Sequence, residues 1–477
     1  MTLERYYSVA SKCLLHGALT RAGRNTGRAV AAYAAIFLLS LSTCAQEPTA
    51  KSRRQAVPLT LRQAVDMALQ RNRRMRIAQL SVEDNKAKQS TAKSNYYPHI
   101  SNLSSALYLT ELQGVTIPKG ALGSPSATGA IPGRNITVGQ GAQDAFTSGT
   151  GLTQPITQLF RIHAGDKAAT ADLRIAQLGE QDTDTSISLL VHQLYFQVLI
   201  EQAHLEAAVQ SVSAAQIAER ESVKAVSEGH SLEVATLQAH AAMLDQKQAV
   251  LTQQLTIDDT MLQLDDAVGL PLGTPLVLEQ RSIEDLPDIP SRDEALASVA
   301  ARNPKVLSAR QTVEKAKSGV DAARAAYIPD ITGLARYSYQ SGVPFLVHNF
   351  GTFGGTVTFD IFDGGARAAK LKQARIELEI AETELQQTEA DTRIQVSAAY
   401  DKAERLEQLV AITEEALKAR TEAARVSTEQ VIHDALLESA SAKDAAAVSD
   451  TNASLLEARL SLYLAQNSIQ QLLGQRP

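Results

Sequence analysis

The chain has 477 residues, no tryptophan, 4% aromatic residues and a formal net charge of −6. That length suits two or three globular domains, yet the long tracts of Ala, Glu, Gln, Leu and Lys are those of extended helices and coiled coils. The acidic balance removes the electrostatic case for nucleic acid as a partner.

Residues 1–45 read as an export signal. Arg21, Arg24 and Arg28 precede "AVAAYAAIFLLSLS", about 14 apolar residues, the length of a signal-peptide core rather than of a bilayer span. "LSTC", Leu41 to Cys44, resembles a lipoprotein signal in which Cys44 carries the lipid, whereas "TCA" before Gln46 gives ordinary cleavage after Ala45. Both alternatives stand, and both export the chain. The cysteines are Cys13 and Cys44, so no disulfide is expected in the exported chain. A linker is expected over 46–57. No later apolar run reaches the roughly 20 residues of a membrane helix, so any crossing has to use strands.

From residue 58 the chain is written twice. "RNRRMRIAQLSVEDNKAKQSTAKSNYYPHI" from Arg71 aligns without a gap to "RNPKVLSARQTVEKAKSGVDAARAAYIPDI" from Arg302, at an offset of 231. Asn72/Asn303, Glu83/Glu314, Lys86/Lys317, Tyr96/Tyr327 and Pro98/Pro329 are identical pairs. A second block aligns at an offset of 205, through Val191/Val396, Tyr195/Tyr400 and Gly269/Gly474. The 26 extra residues of the first copy fall largely in "QGVTIPKGALGSPSATGAIPGRN", whose Gly, Pro and Ser read as a surface loop. The repeats are set at 58–275 and 291–477, with a linker at 276–290.

Each copy reads as helix, strand, loop, strand, long helix, turn, helix. In the first copy an uninterrupted helix is expected from Thr60 to Tyr97; in the second, Asn303-Pro304 breaks it, proline suiting a first helical position. Pro98 and Pro329 end these helices. Strands are expected near 99–112 and 143–156, then near 330–342 and 352–362. Ile331, Tyr337, Phe353, Val357, Phe359 and Ile361 fall on one side of the second pair, with Thr332, Arg336, Thr356 and Asp360 on the other, a period of two. In the first copy the apolar positions are Leu103, Leu107 and Leu109 in one strand and Phe146, Leu152 and Ile156 in the other. Pro155 and the "DGG" of Asp363, Gly364 and Gly365 mark handovers from strand to helix, glycine allowing the sharp change of direction.

The helix from Ala366 to Ile432 has 67 residues, roughly 100 Å. Leu371, Leu378, Leu385, Ala399 and Leu406 keep a seven-residue spacing with Thr392 as the polar break, a coiled-coil seam. Ala435–Leu473 plus Pro304–Ile328 match that helix in length. Leu232–Val268 plus Arg73–Tyr96 likewise match Asp166–Glu228. Two short helices stacked end to end therefore run beside each long one. Four strands cannot close a barrel, and in a membrane each backbone polar group needs a partner. An oligomeric barrel on a long helical tube follows.

In order and doubled, "LTLRQAVDMALQRN", "DEALASVAARNP", "YYP" and "YIP", "FDIFDGG", "VHQLYFQVL" and "VSAAYDKAE", "LDDAVGLP" and "IQQLLG" resemble the TolC-like outer-membrane efflux proteins over about residues 58–477. The resemblance implies an α+β membrane protein: a homotrimer whose four strands per chain make a twelve-stranded barrel in outer-membrane lipid, continued by a helical periplasmic tunnel. It also implies a passive duct that works with a periplasmic adaptor and an inner-membrane transporter of RND, ABC or MFS type. Copy one has "QPITQLFRIHAGD" in place of the glycine-pair handover, and "EQVIHDALL" lacks a glycine at the second far turn.

Those far turns form the periplasmic mouth in such an architecture. Glu228, Glu233 and Asp434 are the candidates for an acidic ring there, Asp434 first among them by the resemblance. His230 and His433 read as solvated turn residues. The "RNRRMR" cluster from Arg71 is expected to meet acidic neighbours around the tube. Glu83 with Lys86 and Glu314 with Lys317 read as salt bridges on a helix face. No phosphate loop, metal cluster, cofactor motif or catalytic constellation is legible, so no enzyme is expected. A periplasmic adaptor, with a single hairpin between compact β domains, and a pore-less coiled coil are the alternatives. The doubled hairpin and the amphipathic strands disfavour both.

Overall fold

The computed structural model describes residues 57–111, 114–139, 143–279, 288–342, 347–433 and 435–476. The expected signal, Cys44, Asp434 and most of the 46–57 linker lie outside them. The first half runs β1 (Val57–Leu59), α1 (Leu61–Arg71), α2 (Arg73–Ser94), β2 (His99–Tyr108), β3 (Gly114–Ile117), β4 (Ile136–Gly139), β5 (Asp144–Pro155), α3 (Leu159–Ser227) and α4 (Glu233–Val268). The second runs β6 (Leu276–Leu278), α5 (Arg292–Arg302), α6 (Pro304–Ala325), β7 (Asp330–Ser341), β8 (Asn349–Thr358), α7 (Ala366–Ile432) and α8 (Glu438–Leu472).

The helix expected from Thr60 to Tyr97 is broken at Asn72, which has extended backbone (φ −65°, ψ 131°). Its Oδ1 accepts from Arg74 N at 2.8 Å and so caps α2. Its Nδ2 donates 2.9 Å to the carbonyl of Ala267, near the end of α4. The second copy repeats the device. Asn303 Oδ1 accepts from the amides of Lys305 and Val306, and Nδ2 donates 2.8 Å to Leu472 O at the end of α8. Each asparagine thus caps the start of one helix and satisfies an orphan carbonyl at the end of another. Gly269 and Gly474 close the joints at φ +76° and +71°. A Cβ there would stand 2.7 Å from Arg71 Cβ and 2.6 Å from Arg302 O respectively. The short helices α2 and α4 therefore stack end to end against α3, and α6 and α8 do so against α7.

Other features recur. Thr60 with Gln63, and Ser291 with Glu294, form capping boxes at α1 and α5. The one proton of Tyr195 Oη is shared between Leu59 O and Glu279 O, both at 2.8 Å, and Tyr400 Oη donates 2.6 Å to Pro290 O. Burial pushes the Tyr195 phenol up to about 12. These tyrosines hold the segments leading into each repeat. Part of the expected 276–290 linker is accordingly a strand: β6 pairs parallel with β1, with Leu59 and Leu276 buried beneath Tyr195, Phe196 and Leu264. A second cluster, Val299, Val396, Leu462 and Ile469, does the same work in the other copy.

Helix seams follow sevens. Ala164, Ala171, Leu178, Thr185, His192 and Leu199 are buried along α3, Val306, Val313 and Val320 along α6, and Ser439, Ala446, Ala453, Leu460 and Asn467 along α8. On α7 the deepest positions are the small ones, Ala374, Ala381, Thr392, Val396 and Ala403, and the predicted leucines flank them, half-buried. Thr392 fits the seam because its hydroxyl bonds Thr388 O at 2.7 Å. The helical layer runs in the order α2/α4, α3, α6/α8, α7. Among the expected salt bridges, Lys317–Glu314 forms at 2.8 Å, while in the first copy Lys88 takes Asp84 at 2.6 Å and Glu83 pairs with no lysine among the described residues.

The strands form one antiparallel sheet in the order β2-β5-β7-β8. The strand expected over 352–362 lies at Asn349–Thr358, because its neighbour β7 starts at Asp330, opposite Thr358, and offers no ladder beyond. The loop inserted in the first copy carries its own hairpin, β3 with β4, where Val115 and Ile117 pair with Val138 and Ile136.

Replacing Asn72 or Asn303 by alanine removes a cap and orphans a carbonyl. Each change is expected to cost about 2 kcal/mol, seen as a lower midpoint in denaturant unfolding in detergent. Asn303→Asp keeps the cap but turns a carboxylate oxygen toward Leu472 O in place of the donor, and should cost at least as much as alanine.

Candidate functional site

The sheet has two unlike faces. The register puts Ile100, Phe146, Leu152, Ile331, Tyr337, Tyr339, Phe353 and Val357 on one, and Ser105, Thr147, Thr153, Arg336, Gln340, Thr352 and Thr356 on the other. Phe146 and Tyr339 meet at 6.0 Å between ring centroids. Polar residues on the aromatic face, Asn102, Ser104, Ser148 and Thr150, satisfy one another through bonds of 2.8–2.9 Å. Arg336 sits midway along β7 with no ion pair among the described residues. A lone guanidinium at mid-membrane on a lipid face costs about 2–4 kcal/mol, so its face is the lumen side and the aromatic face meets lipid. The leucines of the first copy are corrected by this. Leu103 pairs with Gly149 and Leu107 with Ala145, which puts both on the Arg336 side, opposite Phe146 and Leu152.

The handovers differ between copies. In the second, Asp363 Oδ1 accepts from Gly365 N at 3.0 Å, and Oδ2 accepts from Arg367 N and Nε at 2.9 and 2.8 Å. Gly364 and Gly365 take φ +65° and +87°, conformations closed to most side chains. Arg367 also bonds Asp360 O and lies over the Phe359 and Tyr327 rings, 4.8 and 5.7 Å from their centroids. The Arg367 amide and guanidinium hold the Asp363 carboxyl down at about 2. The first copy turns without glycine. Pro155 ends β5, and Gln158 is already helical at φ −63°. Thr157 Oγ1 donates 2.6 Å to Pro329 O and accepts from Ile331 N at 2.8 Å, while Arg161 Nη2 grips both oxygens of Asp330 at 2.7 and 2.8 Å. Pro98 and Pro329 stand immediately before β2 and β7.

At the far ends, Glu228 closes α3 with Lys224 Nζ at 4.0 Å and His230 Nδ1 at 3.6 Å. Glu233 opens α4 and is exposed. Leu232 and Leu437 hold the N-cap positions of α4 and α8 with no side-chain cap, and are 77% and 66% exposed. The second turn manages without glycine because Ala435 N bonds Gln430 O at 2.9 Å. Sequence reasoning missed the tie between the two hairpins: Glu221 Oε1 accepts from Ser439 N, in the first turn of α8, at 3.0 Å. A Ser427–Asp444 bond joins α7 to α8 nearby. Partners 218 residues apart leave no local signal. Arg71, Arg73 and Arg74 line a groove of about 610 Å³ with Asp266, but the cluster forms no ion pair among the described residues, contrary to expectation.

No group of metal-ligating side chains occurs among the described residues, and none of their helices is long and apolar enough to cross a membrane. The outer membrane efflux protein family model matches residues 64–270 and 295–475. No curated protein matches the chain in sequence. Solved structures do match in fold. The CusC channel protein has a TM-score of 0.71 at 18% identity, over 90% of this chain and 96% of that one. The CmeC outer membrane channel of Campylobacter jejuni scores 0.71 at 15% identity, over 87% and 85%. The outer membrane protein VceC of Vibrio cholerae scores 0.69 at 17% identity, over 87% and 96%.

A carboxyl held below its ordinary value of 3.8 lends stability that is whole above that value and is lost as pH falls through the folded pKa. Hydrogen exchange, corrected for intrinsic rate, should therefore show the amides of Gly365 and Arg367 losing protection between about pH 4 and pH 2. In Asp363→Asn that pH dependence should be absent.

Proposed function

The chain belongs to the outer membrane efflux protein family, and from that premise we propose that it is the passive duct of a tripartite export assembly, joined to a periplasmic adaptor and an inner-membrane transporter of RND, ABC or MFS type. It is an outer-membrane channel protein and not an enzyme. Its fold class is trimeric, four strands from each of three copies making a twelve-stranded barrel above a helical tunnel.

The observation that supports conduction most directly is the coincidence of open edges. The sheet ends at β2 and β8, and the helical layer ends at α2/α4 and α7. β2 follows α2 in the chain, and β8 leads into α7. The same two flanks are thus unpartnered from barrel to tip. The unpaired strand edges demand partners in a membrane. Beneath them Leu237, Leu244, Leu251, Leu255 and Leu262 lie exposed on α4 with heptad-like spacing, and Ile376, Ile380, Ile394, Leu409 and Ile412 lie exposed on α7. Head-to-tail contact between copies covers both flanks and leaves a hollow axis. An adaptor or a pore-less coiled coil has no use for an apolar-faced sheet with two open edges.

The exposed tip residues Leu232 and Leu437, each followed by a glutamate, suit an adaptor that covers apolar knobs and meets acidic rims. The chain divides into repeats at 58–275 and 291–477, a reading supported by the paired Asn, Gly and Tyr joints. Purified mature protein should run as a trimer by native mass measurement, give stepwise conductance in planar bilayers, and co-purify with an adaptor from cells. A monomer without conductance would overturn the proposal. Loss of adaptor capture in a Leu232→Asp, Leu437→Asp variant that still conducts would identify the docking end.

Glu228 and Glu233 place carboxylates at the mouth, and Asp434 joins them by its place in the sequence. The Glu228→Gln, Glu233→Gln double variant is expected to conduct with a weaker preference for potassium over chloride. An unchanged preference would remove them from the conduction path.

A further inference from the structure

We infer that the three Arg336 side chains of the assembled barrel form a cationic ring at mid-depth of the lumen, a transit site for small organic anions bearing carboxylate, phosphate or sulfonate groups. The inference rests on the duct reading and concerns the barrel, not the mouth.

Arg336 is exposed and its guanidinium forms no hydrogen bond or ion pair among the described residues. Its surroundings are built to receive it. It pairs across β5 with Gly151 and across β8 with Thr352. Gly149 lies diagonally on the same face, and the guanidinium rests on it: a Cβ at Gly149 would stand 2.5 Å from Nη2, 2.6 Å from Nε and 2.9 Å from Cζ. Gly354, also on that face, leaves the other flank open. Glycine inside a strand weakens it unless something must come close; here the thing that comes close is the guanidinium. It lies along the wall and leaves the bore open.

The charge acts without opposition at this depth. The carboxylates of the sheet are Asp144 and Asp330, at the ends of β5 and β7. Asp330 is tied to Arg161 and lies about 20 Å along the strand from Arg336, and Asp144 about 23 Å from Gly151, at 3.3 Å per residue. Both distances exceed two screening lengths at physiological salt, about 8 Å each. Symmetry sets three guanidinium groups at one level. Each presents a planar fork of donors that matches carboxylate and phosphate geometry, in a confined lumen that concentrates their field. A charged group passing through meets one weak, exposed site, tight enough to attract and open enough to release.

The test uses the whole protein in planar bilayers under a potassium chloride gradient, with inorganic tripolyphosphate as a blocking probe on the external side. The chloride-to-potassium permeability ratio should fall by about twofold or more in Arg336→Gln and be largely retained in Arg336→Lys. Tripolyphosphate should reduce the current of the unmodified channel more than that of Arg336→Gln. Conducting channels whose permeability ratio and block are the same with and without Arg336 would overturn the inference and leave the duct intact. A wild-type protein that passes no ions overturns both.

Discussion

The whole length of the molecule depends on how a helix is made to stop and a second made to continue in line with it. Asn72 and Asn303 solve this with one side chain each, the oxygen capping the new helix and the amide nitrogen closing the old one. An end-to-end stack otherwise exposes four amides at one terminus and four carbonyls at the other. Gly269 and Gly474 let the chains approach closely enough for that bridge. Without the joint, α3 and α7 would lack a continuous companion, and long helices owe most of their stability to a packed face rather than to propensity.

That continuity carries a consequence for the membrane end. Strand order and helix order are the same order, because each strand is covalently joined to the helix below it. A helical layer that is open at two flanks therefore delivers a sheet that is open at the same two flanks. Barrel closure and tunnel closure become a single event between copies, and a protomer cannot complete one without the other.

Much of this was legible in the residues. The doubled blocks located the strands, the sevens in α7 ran beside its seam and met it at Thr392, and Asp363-Gly364-Gly365 announced a turn that only glycine φ values permit. What stayed hidden had physical causes. The break at Asn72 carries no proline, and its cause is a carbonyl nearly two hundred residues away. Leu103 and Leu107 look lipid-facing by composition, yet strand register decides the face, and register is a property of pairs. The handover at Thr157 and Arg161 works through Pro329 and Asp330, so its own segment shows nothing unusual. β6 pairs with β1 where the Tyr195 hydroxyl gathers the carbonyls of Leu59 in β1 and of Glu279 just past β6.

Packing along the helical layer is graded. The large side chains that are fully buried, among them Tyr195, Phe196, Leu264, Leu460 and Ile469, gather around the Asn joints. Toward the tips the seams thin to Ala207 and Ala214 on α3 and to Ser439, Ala446 and Ala453 on α8. Burying a methyl returns far less than burying a leucine or a phenylalanine. Separating the hairpins at the tip therefore exposes little apolar surface, and what resists it is polar: the hydrogen bond from the Ser439 backbone amide to the Glu221 carboxylate. Polar ties of this kind are exchangeable with water or with another protein's side chains at small net cost. The two hairpins are thus held by large apolar side chains around the joints and by a polar tie at their tips, the less stable end of the layer.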